Sequence, residues 1–316
     1  MIVVSGVLGD EMIELMCSRL NDMGYEYIFL DELHFPGKYN ITWELSANAI
    51  TGQLVSPTGK TSLEAITGVY ARYVGHRDER PRDGLTNRET ELVKGQYQLS
   101  LMQLFDLFPC TVVNRVKAST SNDSKLYQQL VIRSFGFCTP RTLVTTIPEE
   151  VQAFYEACEK RVIYKSLSSV RSIVRRLDES DWTRLGRLRN CPTQFQEAVA
   201  GVDIRVHTVG ADVFATQIVS EASDYRYARQ FGTSYTAEAV QIRPEIADAC
   251  VSLAGAFGLE VAGVDLRRTP DDRYYCFEVN PSPAFVFYER AGGQPISKAV
   301  ANLLRGRSRI AEQGCP

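Results

Sequence analysis

Residues 2–4 form a short all-apolar run that leads into Ser5-Gly6, and residues 12–23 repeat apolar positions with helical spacing until Gly24. Such runs predict a buried strand followed by an amphipathic helix. Residues 25–30 predict a second strand, so the chain opens strand–helix–strand, as a parallel sheet does. The pattern then changes. Residues 41–45, 49–55 and 62–66, punctuated by Pro57-Thr58-Gly59-Lys60, read as short antiparallel strands, and residues 69–74 as one more. After a polar segment at 76–85 comes a long helical pattern at 87–108, ended by Pro109, then a strand at 111–114. The polar run 118–123 predicts a linker and the first domain boundary.

A helix carrying Lys125, Leu126, Leu130 and Val131 follows and closes at Gly136. Strands are expected at 142–145 and 162–165, with a helix opening at Pro148 between them, and residues 195–199 end this module. Residues 202–209 and 213–221 form a hairpin about Gly210-Ala211-Asp212. Pro244 and Gly258 bracket a helix with Ile246, Ala249, Cys250, Leu253 and Phe257 on one stripe. A second hairpin, 261–267 with 274–280, and a helix from Pro295 to about residue 305 complete the chain. The expected class is α+β: an N-terminal α/β domain (1–117), a central domain (118–198) and a C-terminal domain (199–316).

Composition narrows the picture only modestly. A chain of 316 residues, 44% hydrophobic and 23% charged, fits two or three docked subdomains of an ordinary globular protein. Its net charge of −3 favours no nucleic-acid partner. No apolar stretch reaches the roughly 20 residues that cross a bilayer, and the N-terminus lacks the basic start of a signal peptide. The eight cysteines contain no C-x-x-C pair and mostly sit in apolar stretches, as reduced core cysteines do. A cytoplasmic protein with no membrane partner is expected, and a homodimer is compatible with the sequence.

The second hairpin carries the chemistry. Its turn, Thr269-Pro270-Asp271-Asp272-Arg273, is rich in turn formers. If the turn centres on Asp271-Asp272, Val264 faces Val279 and Leu266 faces Phe277, while Asp265 faces Glu278 on the other side of the ribbon, with Asn280 two residues along. Directly opposed carboxylates destabilise a sheet, so something must neutralise them. Two acids and an amide oxygen are a ligand set for Mg²⁺; a solvated face offset by Arg267 or Arg273 is the alternative, and the hairpin by itself leaves both open. Upstream, Asp203, Arg205 and His207 alternate with apolar residues and give that strand one polar face, on which Asp203 and Arg205 could also pair.

Lys125, Lys165, the segment Gln196-Glu197-Ala198-Val199, Asp203-Ile204-Arg205 and the pair Val264-Asp265-Leu266 with Phe277-Glu278-Val279-Asn280-Pro281 together resemble the ATP-grasp superfamily over about residues 111–305. Within it the chain is similar to the ribosomal-protein-S6 glutamate-ligase-like group, and especially to the graspetide (microviridin-type) peptide ligases, which share a stretch like Ile218-Val219-Ser220-Glu221…Asp224-Tyr225-Arg226. The resemblance implies an ATP-grasp fold in which the central and C-terminal domains clamp ATP. Lys125 and Lys165 would contact phosphates, Gln196, Glu197 and Val199 would form the adenine hinge, and Asp203 would bind the ribose. Arg205, with Lys165, would serve the transferring phosphoryl group. Asp265, Glu278 and Asn280 would hold Mg²⁺, and Arg226 and Ser282 would face the substrate.

A carboxylate is a poor electrophile, so this family spends ATP on an acyl phosphate that an amine or hydroxyl attacks, chemistry that rests on positioned cations. The implied substrate is a peptide, such as a ribosomal precursor peptide. Addition of an amino acid such as glutamate to a small acceptor is the second reading, and a non-catalytic nucleotide-binding regulator the third. Two departures from the family stand out. No glycine occupies residues 166–170, where relatives carry a phosphate lid, and Arg171, Arg175 and Arg176 follow there with no assigned role. Pro281-Ser282-Pro283-Ala284-Phe285 replaces the N-P-x-G-Q type of ending.

Overall fold

All five residues of β1 (Ile2–Gly6) are buried, the burial expected of a parallel strand covered on both faces. The computed structural model describes residues 1–35, 37–47, 49–72, 86–167, 174–220 and 235–306. Helix α1 (Glu11–Asp22) starts at Asp10, whose carboxylate accepts the N–H groups of Met12 and Ile13, and it buries Met12, Ile13, Met16 and Leu20. Next come β2 (Tyr27–Asp31) and an antiparallel meander of β3 (Asn40–Leu45), β4 (Ile50–Ser56) and β5 (Gly59–Ser62). The third strand of that meander begins earlier than its sequence pattern suggests, because Ser56 and Gly59 pair across a tight turn and residues 63–65 pass into a 3₁₀ turn.

Strand β6 (Gly68–Ala71), helix α2 (Asn87–Leu107) and strand β7 (Thr111–Val113) follow, completing a parallel sheet ordered β2-β1-β6-β7. The expected linker at 118–123 is helical instead: α3 (Val116–Ser119) runs into a 3₁₀ turn at Thr120–Asp123. A cap from α2 sets its start. Asp106 accepts the N–H groups of Val116 and Lys117. The Arg115 guanidinium donates to the carbonyls of Phe105, Asp106, Phe108 and Cys110, satisfying the end of α2.

Helix α4 (Lys125–Ser134), β8 (Thr142–Thr145), α5 (Pro148–Ala157), β9 (Val162–Ser166), β10 (Arg175–Arg176) and β11 (Thr193–Glu197) build an antiparallel sheet, β10-β9-β11-β8. One face of it covers a small core of Val151, Val162, Leu177, Leu188 and Phe195. The last sheet, β14-β13-β12-β15-β16, is made from β12 (Val202–Val209), β13 (Asp212–Ser220), β14 (Tyr235–Ala239), β15 (Val261–Arg268) and β16 (Tyr274–Asn280), with α6 (Pro244–Ala256) packed on it. Helices α7 (Val286–Gly292) and α8 (Ile296–Arg305) then return to the first sheet. Phe285, Val286, Tyr288, Ile296, Val300 and Leu304 share one core with Ile2, Val4, Met12 and Met16. The return is close: a Cβ on Gly68 of β6 would lie 2.3 Å from the Leu304 carbonyl oxygen.

The described cysteines carry free thiols, and no described helix is long and apolar enough to cross a membrane. A buried polar side chain also links the parallel and last sheets, beside the apolar core they share. Asn114, just past β7, accepts the N–H groups of Glu260 and Val261 and donates to the carbonyls of Val261 and Pro281. Its amide therefore sets how the start of β15 and the end of β16 lie against the parallel sheet. Asn114→Ala leaves several buried backbone groups without partners, and a loss of about 3 kcal/mol is expected from urea unfolding.

Candidate functional site

The site grows out of strand register. Arg205 on β12 lies opposite Asp265 on β15, and Asp265 lies opposite Glu278 on β16. The next row reads His207, Gly263 and Asn280. Period-two alternation puts both rows on one sheet face. The opposition of Asp265 and Glu278 agrees with the turn-based register, but that of Leu266 and Phe277 does not. A bulge between Asp265 and Leu266 pairs Leu266 with Cys276. Phe277 is the inserted residue, and the Arg267 guanidinium lies 5.4 Å from its ring centroid.

The opposed carboxylates are neutralised by groups that the hairpin does not contain. Arg205 Nη1 lies 2.5 Å from Asp265 Oδ1, and Lys125 Nζ lies 3.1 Å from Glu278 Oε2. Across the face the charges therefore run plus, minus, minus, plus. Neither Arg267 nor Arg273 supplies this charge: Arg267 forms two hydrogen bonds, 2.7 and 2.9 Å, to Asp203, and Arg273 pairs with Asp271 in the turn. Nor do Asp203 and Arg205 pair with each other, since each reaches across to β15. The Arg205 side chain is only 6% exposed, whereas Asp265 is 27% exposed; the row is anchored at its arginine and opens toward solvent at its acids.

Two residues that the sequence did not flag make this row possible. Gly263 leaves the room through which Arg205 passes, because a Cβ there would lie 2.1 Å from Arg205 Nη2. An isolated glycine within a strand pattern is the signal that could have marked it. Gln128, fully buried one turn after Lys125, accepts the N–H of Val279 and donates to its carbonyl. It covers the outer edge of β16 as a further strand would, and so docks α4 with Lys125 against Glu278. No apolar signal reveals Gln128: Leu126 and Leu130 of the same helix are exposed, while Gln128, Gln129 and Ile132 are buried.

Around Arg205 the walls are aromatic. Its guanidinium lies 5.9 Å from the Tyr288 ring centroid, and the His207 ring lies 4.8 Å from the same ring. Burial, reinforced by the positive charge of Arg205, holds the His207 imidazole well below its ordinary pKa; it is a neutral core residue. Cys276 behind the carboxylates is pushed well above the usual thiol range, chiefly by burial.

Asp265, Glu278 and Asn280 form the oxygen set expected for a divalent cation. Among the described residues no three acidic, histidine or cysteine side chains converge. Two carboxylates and one amide oxygen nonetheless suit Mg²⁺, which keeps waters and substrate phosphates as its other ligands. The Asn280 Oδ1 atom is oriented by the N–H of Ser282, 2.9 Å away, and the amide oxygen has a second lone pair for a metal. The residues present fit the ion.

The remaining expected residues lie on the central sheet or beside it. Lys165 on β9 faces Gln194 on β11, so it shares a sheet face with Gln194 and Gln196 and lies opposite the face of Tyr164 and Phe195. Gln196 is buried and donates to Thr142 Oγ1. The Glu197 N–H donates to the Arg141 carbonyl, and its carboxylate accepts the Arg141 N–H. The Val199 carbonyl accepts from Arg267, the same guanidinium that holds Asp203. Arg267 thus ties Val199 to the start of β12. Arg175 and Arg176 make a short edge strand paired with β9. Arg171 and Arg226 lie outside the described residues. Gly263→Ala is expected to displace Arg205 from Asp265 and cut ATP turnover about a hundredfold, with nucleotide affinity, measured calorimetrically, nearly unchanged.

A family profile described as a RimK-like ATP-grasp domain matches residues 122–304, more than half of the chain. A probable alpha-L-glutamate ligase of Aliivibrio salmonicida is 25% identical over 217 residues, covering 66% of this chain and 71% of that protein. The fold is similar to that of the macrocyclase MdnC of Microcystis aeruginosa MRC, solved bound with precursor peptide MdnA, at a TM-score of 0.79 and 23% identity over 96% of this chain and 99% of that one. It is also similar to the ATP-grasp ligase PsnB, solved with minimal precursor, Mg and ADP, at a TM-score of 0.77 and 26% identity over 96% of each chain. Mixed helices and sheets arranged in this way agree with the fold expected from the hairpin and the lysines, and the chain belongs to the RimK-like ATP-grasp family.

Proposed function

We propose that this protein is an ATP- and Mg²⁺-dependent ligase that joins a carboxylate to an amine or hydroxyl through an acyl phosphate, with a peptide as its substrate. The observation that carries the proposal is the row Arg205–Asp265–Glu278–Lys125, two acids held open to solvent between two cations. Such an arrangement serves phosphoryl transfer, where positioned charge does most of the work. Membership of the ATP-grasp family supports it, as do the precursor peptides bound by MdnC and PsnB.

In the proposed reaction a substrate carboxylate oxygen attacks the γ-phosphorus and ADP leaves. The amine or hydroxyl then attacks the acyl carbon and loses its proton, and phosphate departs with the electrons of the broken C–O bond. Arg205, fixed by Asp265 and the Tyr288 ring, donates to the transferring phosphoryl group. Lys125 and Lys165 bind phosphate oxygens; Gln196, Glu197 and Val199 line the adenine, and Asp203, oriented by Arg267, meets the ribose. Asp265, Glu278 and Asn280 would hold a magnesium ion, which would supply charge neutralisation at the phosphates. Ser282 faces the substrate in this reading. Glutamate addition to a small acceptor is the second reading, favoured by the glutamate-ligase names of the sequence relatives.

The direct test incubates the purified chain with Mg·ATP and a candidate peptide, taken from any small reading frame beside its gene. Loss of one water per bond in the mass spectrum, with ADP and phosphate released, is expected. AMP and pyrophosphate would sink the acyl-phosphate route, and turnover with free glutamate but not with peptide would move the assignment to the second reading. Asp265→Asn and Glu278→Gln should each lower kcat about a hundredfold or more. Undiminished turnover in both would place the metal site elsewhere.

A further inference from the structure

The parallel sheet also delivers a guanidinium to the loop beyond Asn280. Arg72 follows β6 directly, and its N–H donates to the Ser5 carbonyl of β1, which places it at the carboxyl edge of the sheet. That edge is where open α/β sheets bind ligands. Its side chain is 17% exposed. Nε lies 3.3 Å from Asp10 Oδ2, and Nη1 lies 3.3 Å from Ser282 Oγ on the solvent side. The Ser282 N–H in turn holds Asn280 Oδ1. Asp10–Arg72–Ser282–Asn280 is a continuous polar path from the first helix to the metal-ligand set.

The geometry of these bonds differs from that of Arg267. Arg267 grips Asp203 through two bonds of 2.7 and 2.9 Å, the short bidentate form of a charge-assisted pair. Arg72 meets Asp10 through one contact, and its bonds to Asp10 and Ser282 both lie beyond the usual N–H···O range of 2.7–3.2 Å. Its Nη1 atom donates to the Ser282 hydroxyl, and the guanidinium also donates to the buried Tyr70 hydroxyl. Asp10 also has another duty: its Oδ1 atom caps α1, and only Oδ2 approaches Arg72.

We propose that Arg72 is a binding residue for the substrate carboxylate: its Nη edge receives the Asp or Glu side chain of the peptide to be activated, with Ser282 beside it. Asp10 is then an internal competitor for the same guanidinium. The proposal rests on the peptide-ligase reading and adds to it the residue that recognises the reacting group. A merely structural strut gives the opposite signature for Asp10, because a strut weakens when either end is changed.

The test measures binding of a fluorescein-labelled synthetic peptide of alternating Glu and Thr residues in the presence of Mg·ADP. Replacing its Glu by Gln should weaken binding to the wild type about tenfold and make no difference to Arg72→Met, with Arg72→Lys intermediate. Asp10→Asn keeps the helix cap and should tighten the Glu peptide severalfold. Equal Glu-to-Gln losses in wild type and Arg72→Met, weaker binding in Asp10→Asn, or no binding of the Glu peptide to the wild type would each overturn the assignment. Thermal melts identify a variant that fails to fold, in which case Arg72→Lys and Asp10→Asn carry the decision. Ligation is assayed separately. Carboxylate coupling to Arg72 without ligation would reject the peptide-ligase reading alone, and ligation without that coupling would reject the Arg72 site alone.

Discussion

Asp265 and Glu278 occupy paired positions on adjacent antiparallel strands, where side chains stand about 5 Å apart. At an effective dielectric of about 20, two like charges at that distance repel by about 3 kcal/mol. The fold answers by bringing a cation to each acid from a different direction: Arg205 from the neighbouring strand and Lys125 from a helix that precedes the hairpin by more than a hundred residues. Much of the surrounding structure exists to make those two approaches possible. Gly263 clears the path of Arg205, and Gln128 fastens the helix that carries Lys125 to the edge of β16.

The same constraint explains why the first and last parts of the chain pack together. Tyr288, against which the Arg205 guanidinium rests, belongs to α7. That helix is held from the N-terminal side, where Arg19 of α1 donates to Glu289 and Ser297, and Glu289 accepts both the N–H and the hydroxyl of Ser297. Asn114 adds a buried clip between the parallel sheet and the ends of β15 and β16. The site face is thereby supported from three sides, which fixes the charged row. Preorganisation of this kind is what electrostatic catalysis requires.

Local chemistry made some of this legible and hid the rest. The opposition of Asp265 to Glu278 follows from turn residues and period-two alternation, both properties of neighbouring residues. The bulge at Phe277 was not legible, because nothing in that run of residues announces which one is extra. The helical form of residues 116–123 was not legible: Asp106 caps the N–H groups of Val116 and Lys117, and polarity patterns do not reveal that partner. Helix α4 inverts the usual rule by burying two glutamines and exposing two leucines. Hydrophobic periodicity cannot find a glutamine whose amide completes a sheet edge.

The order of amino acids was sufficient for the class of the fold, the hairpin register around Asp265, and a set of lysines, acids and an asparagine in family order. These depend on short-range sterics, hydrogen bonding and the periodicity of strands and helices. Which cation meets which carboxylate was decided only by folding. Arg205 and Asp203 sit two residues apart on one face and could have paired, yet each is committed across the sheet to β15. Lys125 and Glu278 meet because Gln128 docks one edge, and Arg72 reaches Ser282 because a parallel sheet ends beside the last hairpin. Such pairings are set by where whole elements pack, and packing depends on the rest of the chain.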